Sequence, residues 1–199
     1  MYSDFVTRGY RKAELDRHQL VSDAFSGEEV ERILALVGGV ELADATIGAS
    51  ELNQEIRRSR IAWLHRDERS QWIFERIGEL VLQANEELWG FELGGMKESL
   101  QFSRYEAPAG GYDWHLDVGS SSLSPGVALR KISVVVQLSD PEECFGGELE
   151  LRPARHIVVP DLTIGCAVLF PSYLLHRVRP VKQGVRESLV TWITGPPFR

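Results

Sequence analysis

The chain has 199 residues, 43% of them apolar, and its 22 Lys and Arg against 29 Asp and Glu give a formal net charge of −7. A chain of this length buries roughly 70% of the surface its unfolded form exposes, so a well-cored domain needs no disulfide or metal staple and the small disulfide-scaffold classes are excluded. Two cysteines, Cys144 and Cys166, cannot build a zinc finger and fit a reducing compartment or indifference to redox chemistry, while the apolar content and five Trp exclude a disordered chain.

No apolar run approaches the ~18 residues of a membrane span, and the N-terminal stretch MYSDFVTRGYRKAELDRH lacks the pattern of a signal peptide. The expectation is a soluble, cytoplasmic protein without a membrane partner. Its acidity argues against a nucleic-acid partner. The tail differs: from Arg152 onward seven Lys and Arg (152, 155, 177, 179, 182, 186, 199) face only Asp161 and Glu187, so anion binding is expected in the C-terminal quarter.

The first half reads as helical. Ser26-Gly-Glu-Glu29 is a capping box, in which hydroxyl and carboxylate satisfy free backbone donors; Val30, Ile33, Leu34 and Leu36 follow, and Gly38-Gly39 ends the helix. Residues 39 to 60 predict a long loop, with at most one short strand near Arg60–Leu64. A longer helix follows Asp67, its apolar stripe of Ile73, Ile77, Leu80, Val81, Ala84 and Leu88 recurring at three and four residues until Gly90.

From residue 98 the period changes to two. Strands are predicted near 98–106, 112–118, 130–139, 147–152, 162–170, 175–180 and 186–194, divided by turn-forming segments such as Ala107-Pro-Ala-Gly-Gly111 and Lys182-Gln-Gly184. Seven or eight short strands predict an α+β fold: a jelly roll, or double-stranded β-helix, with the N-terminal helices packed on one sheet. With no repeat or Pro-rich linker, the whole chain reads as one domain, residues 1–95 giving helical support and 96–199 the jelly-roll core.

Three elements carry chemistry. His115 and Asp117, two apart in a predicted strand, share a face and can reach one ion; the plainer reading is a surface pair. His176, in Leu174-Leu-His-Arg-Val178, reads alone as a core histidine, yet a jelly roll can bring a late strand beside an early one. Two neutral imidazoles and a carboxylate then make the facial triad of non-haem Fe(II), with open positions opposite. Ten residues later Arg186 and Ser188 share a strand face, a guanidinium fork beside a hydroxyl, which is a carboxylate receptor. Pairing with a surface acid is the plainer alternative. The strand continues as apolar Leu189-Val-Thr-Trp-Ile193, so a buried Arg186 needs an anion, and a dicarboxylate co-substrate would supply it.

Residues 98 to 194 resemble the Fe(II)- and 2-oxoglutarate-dependent dioxygenases, specifically their prolyl 4-hydroxylase-like branch. The resemblance rests on the His115, Asp117, His176 and Arg186 spacing, on Tyr105 and Tyr112 ten and three residues before His115, on Ile132–Leu138 followed by Gly146-Gly147-Glu148-Leu149, and on Val178 and Trp192. It implies His115, Asp117 and His176 as iron ligands, and Arg186 on the distal carboxylate of 2-oxoglutarate, aided by Ser188 and the Tyr105 hydroxyl. Gln137, Leu149, Val178 and Trp192 would line that pocket, and Tyr112 and Arg130 would lie near the substrate. Gln137 stands where some relatives place Tyr, so the hydrogen bonding there differs.

The implied cofactors are Fe(II), with 2-oxoglutarate and O₂ as co-substrates and ascorbate as an optional reductant. The implied reaction is hydroxylation of an unactivated C–H with release of succinate and CO₂. The implied partner is a prolyl residue of a peptide or protein, or else a free amino acid or other small metabolite. Nucleic-acid repair relatives carry a second arginine in the strand of Arg186, and Glu187 to Pro197 has none. Two other classes stay open: a metal-binding jelly roll without oxygenase activity, and a zinc hydrolase, for which no general base stands beside the ligands. Tyr105, Leu149, Val178 and Trp192 also read as sandwich core, and Gly146-Gly147 as a plain turn. His18, His65 and His156 read as structural. Residues 119 to 128, with Ser120-Ser121-Ser122, are a candidate lid over the metal.

Overall fold

A computed structural model describes residues 14–45, 56–118 and 128–198. The candidate lid falls almost wholly outside them.

The capping box forms as the sequence requires. The Glu29 amide donates to Ser26 Oγ (3.2 Å) and the Ser26 amide to Glu29 Oε2 (2.9 Å), opening α1 (Gly27–Val37). Ser26→Ala is expected to cost about 1 kcal/mol of stability, the worth of an N-cap hydroxyl, read from the urea midpoint. Helix α2 (Gln71–Ala84) is preceded by Asp67, whose Oδ1 accepts from the Arg69 and Ser70 amides, and it runs into a π-helical turn, Asn85–Trp89, closed by left-handed Gly90. Arg76 ties the helices together through Glu29 (3.1 Å) and the Ala24 carbonyl (2.9 Å).

Twelve strands are found among the described residues: β1 (Gln19–Val21), β2 (Ala43–Asp44), β3 (Arg57–Arg58), β4 (Arg60–Leu64), β5 (Gly95–Met96), β6 (Leu100–Glu106), β7 (Gly111–His115), β8 (Leu129–Gln137), β9 (Leu149–Arg152), β10 (Ala167–Pro171), β11 (Leu175–Val178) and β12 (Val185–Gly195). The major sheet runs β1-β10-β8-β12-β6-β4-β2, with β5 also on β12; the minor sheet runs β3-β7-β11-β9. Every pairing is antiparallel, and the two sheets form the jelly roll.

Strict alternation divides the side chains. Leu100, Phe102, Ile132, Val134, Val136, Leu189 and Ile193 face the helices and pack with Ile33, Ile73, Ile77 and Val81. Their sequence neighbours face the minor sheet, where Val135, Val168 and Phe170 meet Leu149, Leu151 and Leu174. Candidate site residues Tyr105, Gln137, Arg186, Ser188 and Trp192 belong to this second, inter-sheet set by register. No helix among the described residues is long and apolar enough to cross a membrane.

Several boundaries differ from the sequence reading. The expected loop 39–60 carries β2 and β3, two-residue strands recruited by the edges β4 and β7 and too short to show a period. Likewise β1 and β5 are edge additions without a sequence pattern. The strand expected from 162 begins at Ala167, because Gly165 holds a left-handed φ of +79° where an added Cβ would stand 2.0 Å from the Phe25 carbonyl oxygen. The strand expected over 112–118 ends at His115, so Asp117 is not in it.

Candidate active site

The minor sheet sets the two imidazoles side by side. His115 on β7 and His176 on β11 are direct cross-strand partners, their ring centroids 4.1 Å apart. Asp117 joins them by another route than strand alternation. Past the end of β7 its amide donates to the Ser172 carbonyl (2.9 Å), which turns its carboxylate back beneath the rings. His176 Nε2 then lies 3.3 Å from Asp117 Oδ2, His115 Nε2 lies 3.7 Å from Oδ1, and one donor atom from each residue falls within 4.8 Å of the others. Among the described residues this is the only such group that could hold a metal; His18, His65 and His156 do not join it.

Outer contacts fix the donors. His115 Nδ1 is 2.7 Å from the Asp113 carbonyl oxygen and His176 Nδ1 is 2.8 Å from that of Leu174. A carbonyl only accepts, so both protons sit on Nδ1 and both Nε2 lone pairs are free for a cation. Ser133 Oγ on β8 donates to Asp117 Oδ2 (2.7 Å) and stands 2.9 Å from Ser172 Oγ, which therefore donates to it. Tyr112 stacks on His115 (3.5 Å, 14°), Arg57 lies 4.8 Å above the Tyr112 ring, and Phe170 meets His176 edge-on. Burial and the neighbouring His176 push the His115 imidazole down to about 4, so it is neutral at pH 7. Burial alone would raise the Asp117 carboxyl, but His176, His115 and Ser133 together outweigh it and hold it well below the usual carboxylate range. Burial depresses His176, yet Asp117 raises it on balance.

Ser133→Ala removes the hydroxyl that braces the Asp117 carboxylate. The expected outcome is a roughly 10–100-fold loss of Mn(II) affinity with the fold intact, read by titration calorimetry.

The other end of the site is on the inner face of the major sheet. Arg186 on β12 is 4% exposed, pairs across the sheet with Tyr105, and has its guanidinium carbon 5.7 Å from the Tyr105 ring. Its Nη1 donates to Ser188 Oγ (3.4 Å); its Nη2 is buried with no partner, and it forms no ion pair among the described residues. Burial lowers its affinity for the proton. A cavity of about 300 Å³ opens on it, walled by Gln137, Leu149, Gly147 and Cys144 among others. Gln137 Nε2 donates to the Ser139 carbonyl (2.9 Å), leaving its Oε1 without a partner. Gly147, at φ +76°, permits close approach: a Cβ there would stand 3.2 Å from Arg186 Cδ and 3.0 Å from Val181 Cγ2. Val178 packs with Tyr105 and Val181 behind this cavity.

Two arginines of the basic tail have acidic partners: Arg177 pairs with Glu150 (2.6 Å), and Arg179 lies 3.7 Å from Glu148 and 3.6 Å from Glu150. Arg152, Arg155 and Lys182 are exposed, so Arg186 is the buried cation of this segment.

At the metal end Trp192 pairs with Ser133, and the guanidinium of Arg130 lies 3.6 Å over its ring. Trp63 stands 6.5 Å away, and Trp192 Nε1 is buried without a partner. Arg130 is itself forked by Glu98, Nε to Oε1 at 2.7 Å and Nη2 to Oε2. Glu98, Ser133, Ser172 and the two backbone acceptors carry no sequence signal of their own; they reach the site only through the fold.

The donor set of two imidazoles and one carboxylate fits Fe(II), and the orphaned Arg186 Nη2 fits one carboxylate of 2-oxoglutarate. Comparisons with known proteins agree. Residues 100–194 match the model of the 2OG-Fe(II) oxygenase superfamily. A PKHD-type hydroxylase from a Synechococcus strain is 28% identical over 176 residues, covering 87% of this chain and 76% of the relative. One from Burkholderia ambifaria is 33% identical over 127 residues, covering 61% and 55%. Among solved structures, a Trichoplax adhaerens prolyl hydroxylase in complex with a hypoxia inducible factor oxygen degradation domain peptide superposes with a TM-score of 0.73 at 20% identity, covering 89% of this chain and 83% of that one. A Pseudomonas putida prolyl-4-hydroxylase gives 0.67 at 23% identity, covering 91% and 93%. Residues 100–194 thus belong to the 2-oxoglutarate- and Fe(II)-dependent oxygenases, and the chain is similar to their prolyl hydroxylase-like members.

Proposed function

We propose that this oxygenase hydroxylates a prolyl residue within a peptide or protein, with His115, Asp117 and His176 holding Fe(II) and Arg186 anchoring 2-oxoglutarate. The observation that carries the site assignment is the buried Arg186 Nη2 without a partner, on the inner face of the major sheet across from the minor sheet that carries both imidazoles. Ser133, which braces Asp117, and Gln137, which faces Ser188, are four residues apart on β8, roughly 13 Å along the strand. A guanidinium on its long stem and a five-carbon diacid together bridge that separation.

Bound there, Fe(II) with 2-oxoglutarate and O₂ supplies the oxidising power, and succinate and CO₂ leave as a hydroxyl enters the substrate. The chain's own part is placement. The Asp113 and Leu174 carbonyls aim both Nε2 atoms, and Ser133 fixes Asp117. Arg186 neutralises the far carboxylate, with Ser188 and the Tyr105 hydroxyl beside it. Leu149 and Val178 exclude water. Burial keeps the Tyr112 phenol protonated, so it faces the substrate as an O–H donor stacked on His115.

The substrate wall supports a neutral residue. Arg130 already has its carboxylate in Glu98, and beyond it the wall is Trp192, Trp63 and Tyr112. A peptidyl proline offers an apolar ring and a carbonyl acceptor, which suit these aromatic side chains. Both cysteines are free, which supports a reducing compartment such as the cytoplasm, and the helices' shared core with the major sheet supports one working domain.

The test is succinate release with Fe(II), ascorbate and a panel of proline-containing peptides, with mass analysis of each peptide. The expected result is a gain of one oxygen atom on proline. Turnover of free amino acids alone would move the substrate to the small-metabolite class. Metal binding without any 2-oxoglutarate consumption would leave only a metal-binding module.

A further inference from the structure

The cavity at Arg186 contains a nucleophile that hydroxylation does not use. Cys144 follows the 3-10 turn Pro141–Glu143, is half-buried, and lines that cavity together with Arg186, Gln137 and Leu149. Its Sγ donates weakly to the Gly146 carbonyl (3.4 Å), and its side chain packs on the Tyr105–Val178–Val181 cluster. The thiol and the guanidinium are close enough to influence each other's ionisation: burial pushes the thiol up and Arg186 draws it down. Independently, the 4% exposed Arg186 turns its partnerless Nη2 to the same space. The other cysteine is no competitor, because Cys166 is 1% exposed and its Sγ donates to the Ser22 carbonyl (3.0 Å).

We propose that Cys144 is a modification site whose oxidation or alkylation closes the co-substrate cavity, the reagent class being peroxides and soft electrophiles; this rests on reading the cavity as the 2-oxoglutarate site. With hydrogen peroxide the sulfur attacks one oxygen, an S–O bond forms and the O–O bond breaks. The departing hydroxide takes up the thiol proton and leaves as water, so sulfur loses two electrons and peroxide gains them. A second peroxide converts the sulfenic acid to the sulfinic acid in the same way, with a second water released. The sulfinate is an anion in the cavity of Arg186, where it satisfies the cation that otherwise holds a carboxylate. Burial keeps most of the thiol protonated, so the reaction is slower than at a peroxidase cysteine and answers sustained oxidant. Co-substrate in the cavity covers the sulfur, which makes binding and modification mutually exclusive.

The experiment uses the Mn(II)-loaded full chain. It is treated with N-ethylmaleimide, or separately with hydrogen peroxide, with and without saturating 2-oxoglutarate, and followed by intact mass, peptide mapping and calorimetric titration of 2-oxoglutarate. The expected result is a single modification on Cys144, slowed about tenfold by 2-oxoglutarate, with 2-oxoglutarate affinity falling about tenfold or more once it is complete. In Cys144→Ser, whatever its starting affinity, peroxide leaves that affinity where it was. Modification at Cys166 with Cys144 free, labelling indifferent to 2-oxoglutarate, or affinity that survives complete modification overturns this proposal alone. An untreated protein that fails to bind 2-oxoglutarate overturns the reading of the cavity as well.

Discussion

Arg186→Met should move binding and stability in opposite directions. The guanidinium is buried with an unpaired Nη2 and no ion pair among the described residues, so the protein without co-substrate carries a desolvation cost for that charge. Methionine keeps much of the volume and removes the charge, and replacing buried ionic groups by apolar side chains stabilises by about 1–4 kcal/mol. The midpoint of urea unfolding should rise accordingly. Removing one partner of a desolvated, hydrogen-bonded charge pair costs about 2–5 kcal/mol, so 2-oxoglutarate affinity should fall by roughly thirtyfold to several thousandfold. Lower stability with unchanged 2-oxoglutarate binding would place the anion anchor elsewhere.

Asp117→Ala is expected to abolish hydroxylation and to lower Mn(II) affinity by well over about 100-fold, since losing an outer-shell partner alone costs about 10–100-fold. The carboxylate is the only anionic donor between two imidazoles, and its ionisation is secured by those imidazoles and by Ser133. Asp117→Asn separates charge from shape: it retains an oxygen for the Ser133 hydroxyl, yet should bind metal nearly as poorly as the alanine variant. Electron paramagnetic resonance of added Mn(II), with succinate release alongside, reads both. Near wild-type turnover in either variant would dissolve the triad assignment.

Much of the site was legible because its reactive groups lie at short, fixed spacings on strands. Arg186 and Ser188 share a face because strand alternation imposes it, whereas His115 and His176 meet through the pairing register of β7 with β11. Asp117 comes beside the two imidazoles by a route its spacing does not give: a backbone bond to Ser172, not alternation, turns it inward. That bond spans the two sheets and has no counterpart in local sequence. The same holds for Ser133, an ordinary polar residue in a valine-rich strand until β8 passes beneath Asp117. Gly146-Gly147 reads as a turn, and only the three-dimensional contact shows Gly147 clearing a path for the Arg186 stem. The basic tail promised anion binding broadly, whereas burial singles out one arginine: Arg152, Arg155 and Lys182 are exposed, and Arg177 and Arg179 have Glu148 and Glu150. Edge strands such as β2 and β3 escaped because two residues have no period and their pairing is decided by the neighbour.

The serine relay from Ser172 through Ser133 to Asp117 belongs to the major sheet and its edge, while both imidazoles hang from the minor sheet. An ion gripped by all three therefore rivets the two halves of the sandwich across their seam, and its hold adds to the cohesion of the fold through mass action. Were iron that ion, its supply and the protein's lifetime would be linked, the metal-free chain being looser and more open to proteolysis along β7 and β11.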